Sequence, residues 1–232
     1  MNRFLMSVVR GVLYTTLAWS VACTTSGVLD AIEPEETGDT DDITDTADTD
    51  DTDEVVPEEP PTVTRAPNYT FTKTEGVVYA QGLVDANWGG RPGTERDLVL
   101  DIWEPVETDG SKRPALMFIH GGGFVGGSRT HGPIVSLCEA FASRGWVTAS
   151  IDYRLRDDAG PIPQAWAELA DTFPNSGQVR AMYLAARDGR AALRWMTANA
   201  ETLNINPDYV AVGGGSAGAF TAVAVGVSEP DD

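Results

Sequence analysis

The stretch "YVAVGGGSAGAFTAVAVGV" (209–227) decides how this 232-residue chain is read. Its opening "YVAV" is apolar and partly β-branched, as a buried strand should be. Its closing "AFTAVAVGV" is small and apolar, suited to a helix lying on a sheet. Between them, "GGGSAG" is a tight turn with Ser216 at its corner. Gly214 and Gly218 flank the serine at two residues on either side, the G-x-S-x-G spacing. On so sharp a strand-to-helix turn, side chains at both flanks collide with the adjoining backbone, and glycine removes the collision. The helix that begins there aims its free N–H groups and positive dipole end at the same point. Ser216 is therefore a candidate nucleophile. A glycine-rich turn with an incidental serine is the competing reading of the pentapeptide alone.

Upstream, "PALMFIH" (114–120) is a continuous apolar run, followed directly by "GGGFVGG" (121–127). Acyl transfer needs N–H donors aimed at the oxygen that turns negative in the tetrahedral intermediate. A glycine run at a strand end lets the backbone approach a substrate unobstructed. No G-x-x-x-x-G-K-[ST] pattern is present, which sets aside a phosphate-binding loop. Further strands are expected at 76–80, 96–105 and 146–152. Helices are expected at 133–145, opened by Pro133 and closed by Gly145, and at about 178–199, with the turn "NINPD" (204–208) leading into the strand at 209–213. Helix and strand alternate from residue 114 onward, which predicts a mostly parallel sheet with helices on its faces.

With "HGGGF" (120–124), "IDYRL" (151–155), "AALRWMTANA" (191–200) and "GGSAG" (214–218) in this order, the chain resembles the α/β-hydrolase superfamily. In particular it is similar to carboxylesterases of the hormone-sensitive-lipase and BD-FAE-like type, which act on feruloyl or acetyl esters. The resemblance covers about 96–228. It implies that Ser216 is the nucleophile and that the backbone N–H groups of Gly122, Gly123 and Ala217 form the oxyanion hole. It also implies that His120 holds the glycine loop rather than serving as the base. Gly215 stands where many such enzymes carry Asp or Glu. No cofactor and no metal are called for, and the substrate is a small-molecule or polysaccharide-linked ester.

That superfamily orders its triad as Ser, then Asp or Glu, then His. After Ser216 the chain offers Glu229, Asp231 and Asp232 but no histidine. Of the two histidines, His120 belongs to the glycine loop, and His131 stands out of order before the helix at 133. Residues 65–232 thus read as the N-terminal two-thirds of an α/β-hydrolase domain that lacks its acid and base. The strand at 209–213 is then expected to present an unpaired edge. Within the domain, 156–177 is longer than a connection requires, and its Trp166 and Phe173 are candidates to line an acyl or aryl pocket. A serine carboxylester hydrolase is the leading reading. A surface binding module that kept the fold without the triad is the alternative, and a serine peptidase of the same superfamily is a third.

The formal charge of −19 is unevenly spread. Residues 27–64 hold 15 Asp and Glu with no Lys or Arg, so 23–64 reads as an extended, solvated tether. Its "DTDDTDE" lacks the glycine of an EF-hand calcium loop. A basic stripe is absent, which argues against nucleic-acid binding. Residues 1–22 have the parts of a signal peptide: Arg3 and Arg10, then the apolar "GVLYTTLAWSVA" (11–22), too short to span a bilayer comfortably. "SVAC" resembles a lipobox with Ser20 in the usual place of leucine, which makes Cys23 the expected lipidation site and the membrane the expected partner. Plain cleavage with secretion and an uncleaved anchor are the other readings. Cys138, at an apolar helix position, reads as a small core residue.

Overall fold

The computed structural model describes residues 6–9, 12–15, 61–106 and 110–227. Cys23 and the expected tether, apart from residues 61–64, lie outside the described residues. Among these residues the chain forms β1 (Met6–Val9), β2 (Val12–Thr15), β3 (Phe71–Val84), β4 (Thr94–Pro105) and β5 (Arg113–Ile119). Then follow α1 (Gly132–Ala142), β6 (Val147–Ile151), α2 (Gln164–Ala170), α3 (Ser176–Ala198), β7 (Ile205–Gly214) and α4 (Ala217–Val227). The strands lie in one sheet in the order β1-β2-β7-β5-β6-β4-β3. β6, β5 and β7 run parallel, while β3 and β4 close one side antiparallel.

Alternation along each strand sorts its side chains to the two faces. Met117 and Ile119 of β5, with Val210 and Val212 of β7, turn toward Ala181, Ala185, Ala192 and Met196 of α3 and Ala222 and Val225 of α4. Leu116 and Phe118, with Ala211, turn the other way, onto Ile134, Cys138 and Ala142 of α1. Helices therefore cover both faces of an α/β-hydrolase sheet. The helix faces toward the sheet are rich in alanine because close helix-on-sheet packing leaves little room. Full burial pushes the Cys138 thiol up to about 12, so it is a packing group rather than a thiolate.

Two differences from the sequence expectation stand out. "NINPD" is not merely a turn: β7 already begins at Ile205, whose partner is Arg113 at the start of β5. The second difference concerns the far edge. β7 was expected to be unpaired, yet the backbone of Val12, Leu13 and Tyr14 pairs in parallel with Val210, Ala211 and Val212, and β1 pairs antiparallel with β2.

Candidate functional site

Ser216 sits where β7 ends and α4 begins, with φ of +53°. A non-glycine residue held at positive φ costs on the order of 1–3 kcal/mol and persists only where its surroundings fix it. Here the helix fixes it, because the Ser216 carbonyl accepts the N–H groups of Ala219 (2.9 Å) and Phe220 (3.2 Å). The side chain is exposed, and its hydroxyl has no hydrogen-bond partner among the described residues.

The flanking glycines answer to close approach. A Cβ at Gly218 would run into the carbonyl oxygens of Ile119 and His120, at the end of β5. Gly218→Ala is therefore expected to destabilise by about 1–3 kcal/mol, the usual cost of overpacking, read as a lower denaturation midpoint. The glycine loop meets the serine turn at Gly121, where a Cβ would lie 2.7 Å from the Gly215 carbonyl oxygen and 3.3 Å from the Ser216 Cβ. The sheet thus brings together the two motifs, which are almost a hundred residues apart in the chain. At their junction the backbone N–H groups of Gly122, Gly123 and Ala217 have no hydrogen-bond acceptor among the described residues. Amides without acceptors at the same junction as a hydroxyl without a partner can receive a developing negative oxygen.

His120 lies inside the fold, not at the serine. It is buried, its ring stacks on Tyr153 at 4.4 Å, and its carbonyl accepts the Tyr153 hydroxyl at 2.9 Å. Burial holds the imidazole below its ordinary value, so it is neutral at pH 7. Its Nδ1 pairs with the Gly121 carbonyl at 2.8 Å; a carbonyl can only accept, so Nδ1 carries the proton. His131 is exposed at the start of α1, and neither histidine bonds to Ser216.

The segment after β6 and the start of α3 hold the loop from the other side. Arg156 N–H donates to the Phe124 carbonyl at 2.8 Å, and Gln178 Nε2 donates to the Gly123 carbonyl at 3.3 Å. Phe124 takes φ of +62° and sets its ring edge-on to Tyr153 at 6.4 Å. Sequence reasoning passed over Tyr153, Arg156 and Gln178 as site-building residues. "IDYRL" was a signal for the first, but nothing local marks Gln178.

Beside the loop, a cavity of about 240 Å³ opens between α3 and α4. Phe124, Trp166, Met182, Tyr183 and Phe220 are among its walls. Phe220 lies one helical turn, about 5.4 Å along the axis, from Ser216. Trp166 is held in place by its indole N–H to the Val179 carbonyl at 2.9 Å. Phe173, expected beside it, is not in the wall and stays 47% exposed. The short helix α2 turns Trp166 inward, whereas Phe173 lies beyond its end.

Comparison with known proteins follows the same lines. The BD-FAE family model matches residues 100–171 and 177–232. Carboxylesterase NlhH of Mycobacterium tuberculosis is 34% identical over 165 residues, covering 64% of this chain and 44% of that protein. Esterase LipC of the same organism is 27% identical over 139 residues, covering 60% of this chain and 29% of that protein. The chain spans less than half the length of these relatives. Among solved structures, native Est2, an esterase from Thermogutta terrifontis, is 25% identical with a TM-score of 0.46, over 75% of this chain and 50% of that one.

Proposed function

Because the chain belongs to the BD-FAE family, whose model covers more than half of it, we propose that it carries the nucleophile and oxyanion hole of a serine carboxylester hydrolase. The observation behind this reading is the junction of the two glycine motifs, where the exposed hydroxyl of Ser216 meets three N–H groups without acceptors. Ser216 Oγ attacks the carbonyl carbon of a small-molecule ester and gives its proton to a general base. The carbonyl oxygen becomes an oxyanion and is received by Gly122, Gly123 and Ala217. Each such donor contributes about 10²–10³ to the rate in sites of this kind. The base then protonates the departing alcohol, and water releases the acyl group from Ser216 by the reverse geometry. His120 is committed to the loop and His131 has no bond to Ser216, so neither histidine acts as that base among the described residues.

An organophosphonate probe tests this directly. The full-length protein should take one label per chain, on the peptide containing Ser216 in mass spectra. No label, or a label elsewhere, overturns the assignment. The names of the relatives, carboxylesterase and esterase, support a small-molecule ester as substrate.

For location, we propose export and lipidation at Cys23, on the strength of the basic start, the apolar stretch and "SVAC". Cleavage before Cys23 would remove β1 and β2 and open the edge of β7.

A further inference from the structure

The far end of the glycine loop is held by one side chain that no motif announces. Arg129 lies two residues past Gly127. Its backbone N–H donates to Asp152 Oδ1 at 2.6 Å, and its guanidinium Nη1 donates to Asp152 Oδ2 at 2.6 Å. From the same guanidinium, Nε donates to Asp101 Oδ1 at 2.7 Å. The Arg129 carbonyl in turn accepts the Ser150 hydroxyl at 2.8 Å. One residue therefore makes four bonds to two strands, β4 through Asp101 and β6 through Ser150 and the adjoining Asp152.

The acceptors are built for this task. The Asp101 side chain is 1% exposed and also accepts the Gly76 N–H at 2.9 Å, with Lys73 Nζ 3.2 Å from its other oxygen. Burial alone would raise its carboxyl, but the bonds from Arg129, Gly76 and Lys73 outweigh burial and hold it below the usual carboxylate range. Asp152 immediately precedes Tyr153, which stacks on His120 at the near end of the same loop. The two ends of the loop are thus fastened to consecutive residues, 152 and 153, with only glycines, Phe124, Val125 and Ser128 between the fastenings. Glycines alone cannot hold a fixed conformation, because their backbone is the freest of all. Order at Gly122 and Gly123 has to come from what clamps them.

We propose that Arg129 is a positioning residue for the oxyanion donors: clamped between Asp101 and Asp152, it fixes the direction of the Gly122 and Gly123 N–H groups. This rests on the assignment of those groups to the oxyanion hole. Arginine suits this clamp better than lysine, because its planar fork holds two carboxylates through separate nitrogens in a fixed geometry, which the single nitrogen of an ammonium does not impose.

The test uses Arg129→Met and Arg129→Lys in the full-length protein. ¹⁵N relaxation should show the Gly122 and Gly123 amides falling from rigid order parameters of about 0.85 to below about 0.6 in both variants. Lysine keeps a positive charge between the carboxylates, so Arg129→Lys should melt within about 3 °C of the parent. With a short-chain nitrophenyl ester, kcat should drop about 10- to 100-fold while KM stays within about twofold, as misplacement of a transition-state contact requires. Unchanged order parameters in both variants overturn the proposal, and so does a loss of order that leaves kcat intact. If the parent protein shows no turnover that depends on Ser216, the esterase reading fails on its own. The relaxation measurement still decides whether Arg129 fixes the loop.

Discussion

Ser216→Ala, in the full-length protein, is expected to lower kcat for an activated ester by about 10⁶-fold, the scale of loss when a triad nucleophile is removed. At about 1.4 kcal/mol per factor of ten, that is roughly 8 kcal/mol of transition-state stabilisation. The size follows from the route: without Oγ there is no acyl-enzyme, and the oxyanion donors act only on direct attack by water. They remain in place in the variant, since Gly122, Gly123 and Ala217 contribute backbone and their positions depend on neighbours other than the serine side chain. Substrate binding should therefore survive. The 232-residue chain itself should show no turnover that depends on Ser216, because no base among the described residues bonds to it. Turnover that persists in Ser216→Ala would remove the serine from the chemistry. A full-length protein that binds esters without cleaving them would point to a non-catalytic relative.

What the sequence made legible was everything that a short window encodes. β5 carries the continuous apolar run "PALMFI", β6 alternates Val147, Ala149 and Ile151 with Thr148 and Ser150, α1 has Pro133 at its start, and α4 follows a G-x-S-x-G turn; each is a local pattern. The nucleophile and the glycine loop were legible for the same reason, since both depend on glycines at fixed spacing. Pairings across the chain were not. Arg129 and Asp101 are 28 residues apart, and Arg154 and Asp188 are 34 apart. Nothing in either neighbourhood states that the sheet will bring them together. The apolar stretch at 11–22 shows the limit most clearly. Its composition suits a leader and a strand equally, and pairing of Val12, Leu13 and Tyr14 with β7 is a tertiary fact. Trp166 and Phe173 make the same point at smaller scale. Both are aromatic and seven residues apart, and only the turn after α2 separates a pocket wall from a surface side chain.

The largest stability effect should come from Asp188→Ala, which is expected to lower the unfolding free energy by about 3–5 kcal/mol. The Asp188 and Arg154 side chains are 3% and 9% exposed. Arg154 turns its backbone N–H (2.8 Å), its Nε (3.0 Å) and its Nη2 (2.6 Å) on the one carboxylate, and a fourth donor, Nη1, on the Leu83 carbonyl at 3.1 Å. The pair therefore joins β3, the segment after β6, and α3. Removing the carboxylate leaves a largely buried guanidinium with a single carbonyl partner. The cost is mostly that of the abandoned charge, not of the lost attraction. The double variant Asp188→Ala, Arg154→Met should accordingly be less destabilised than the sum of its parts. Denaturant titration checks both, with a lower midpoint at unchanged slope. A typical domain has only about 5–15 kcal/mol in hand, so Asp188→Ala alone consumes a large part of it. Because Arg154 adjoins Tyr153, whose hydroxyl and ring hold His120, the same substitution should loosen the glycine loop before the whole domain unfolds. A loss below about 1 kcal/mol would mean that the pair is solvated and contributes no more than a surface ion pair.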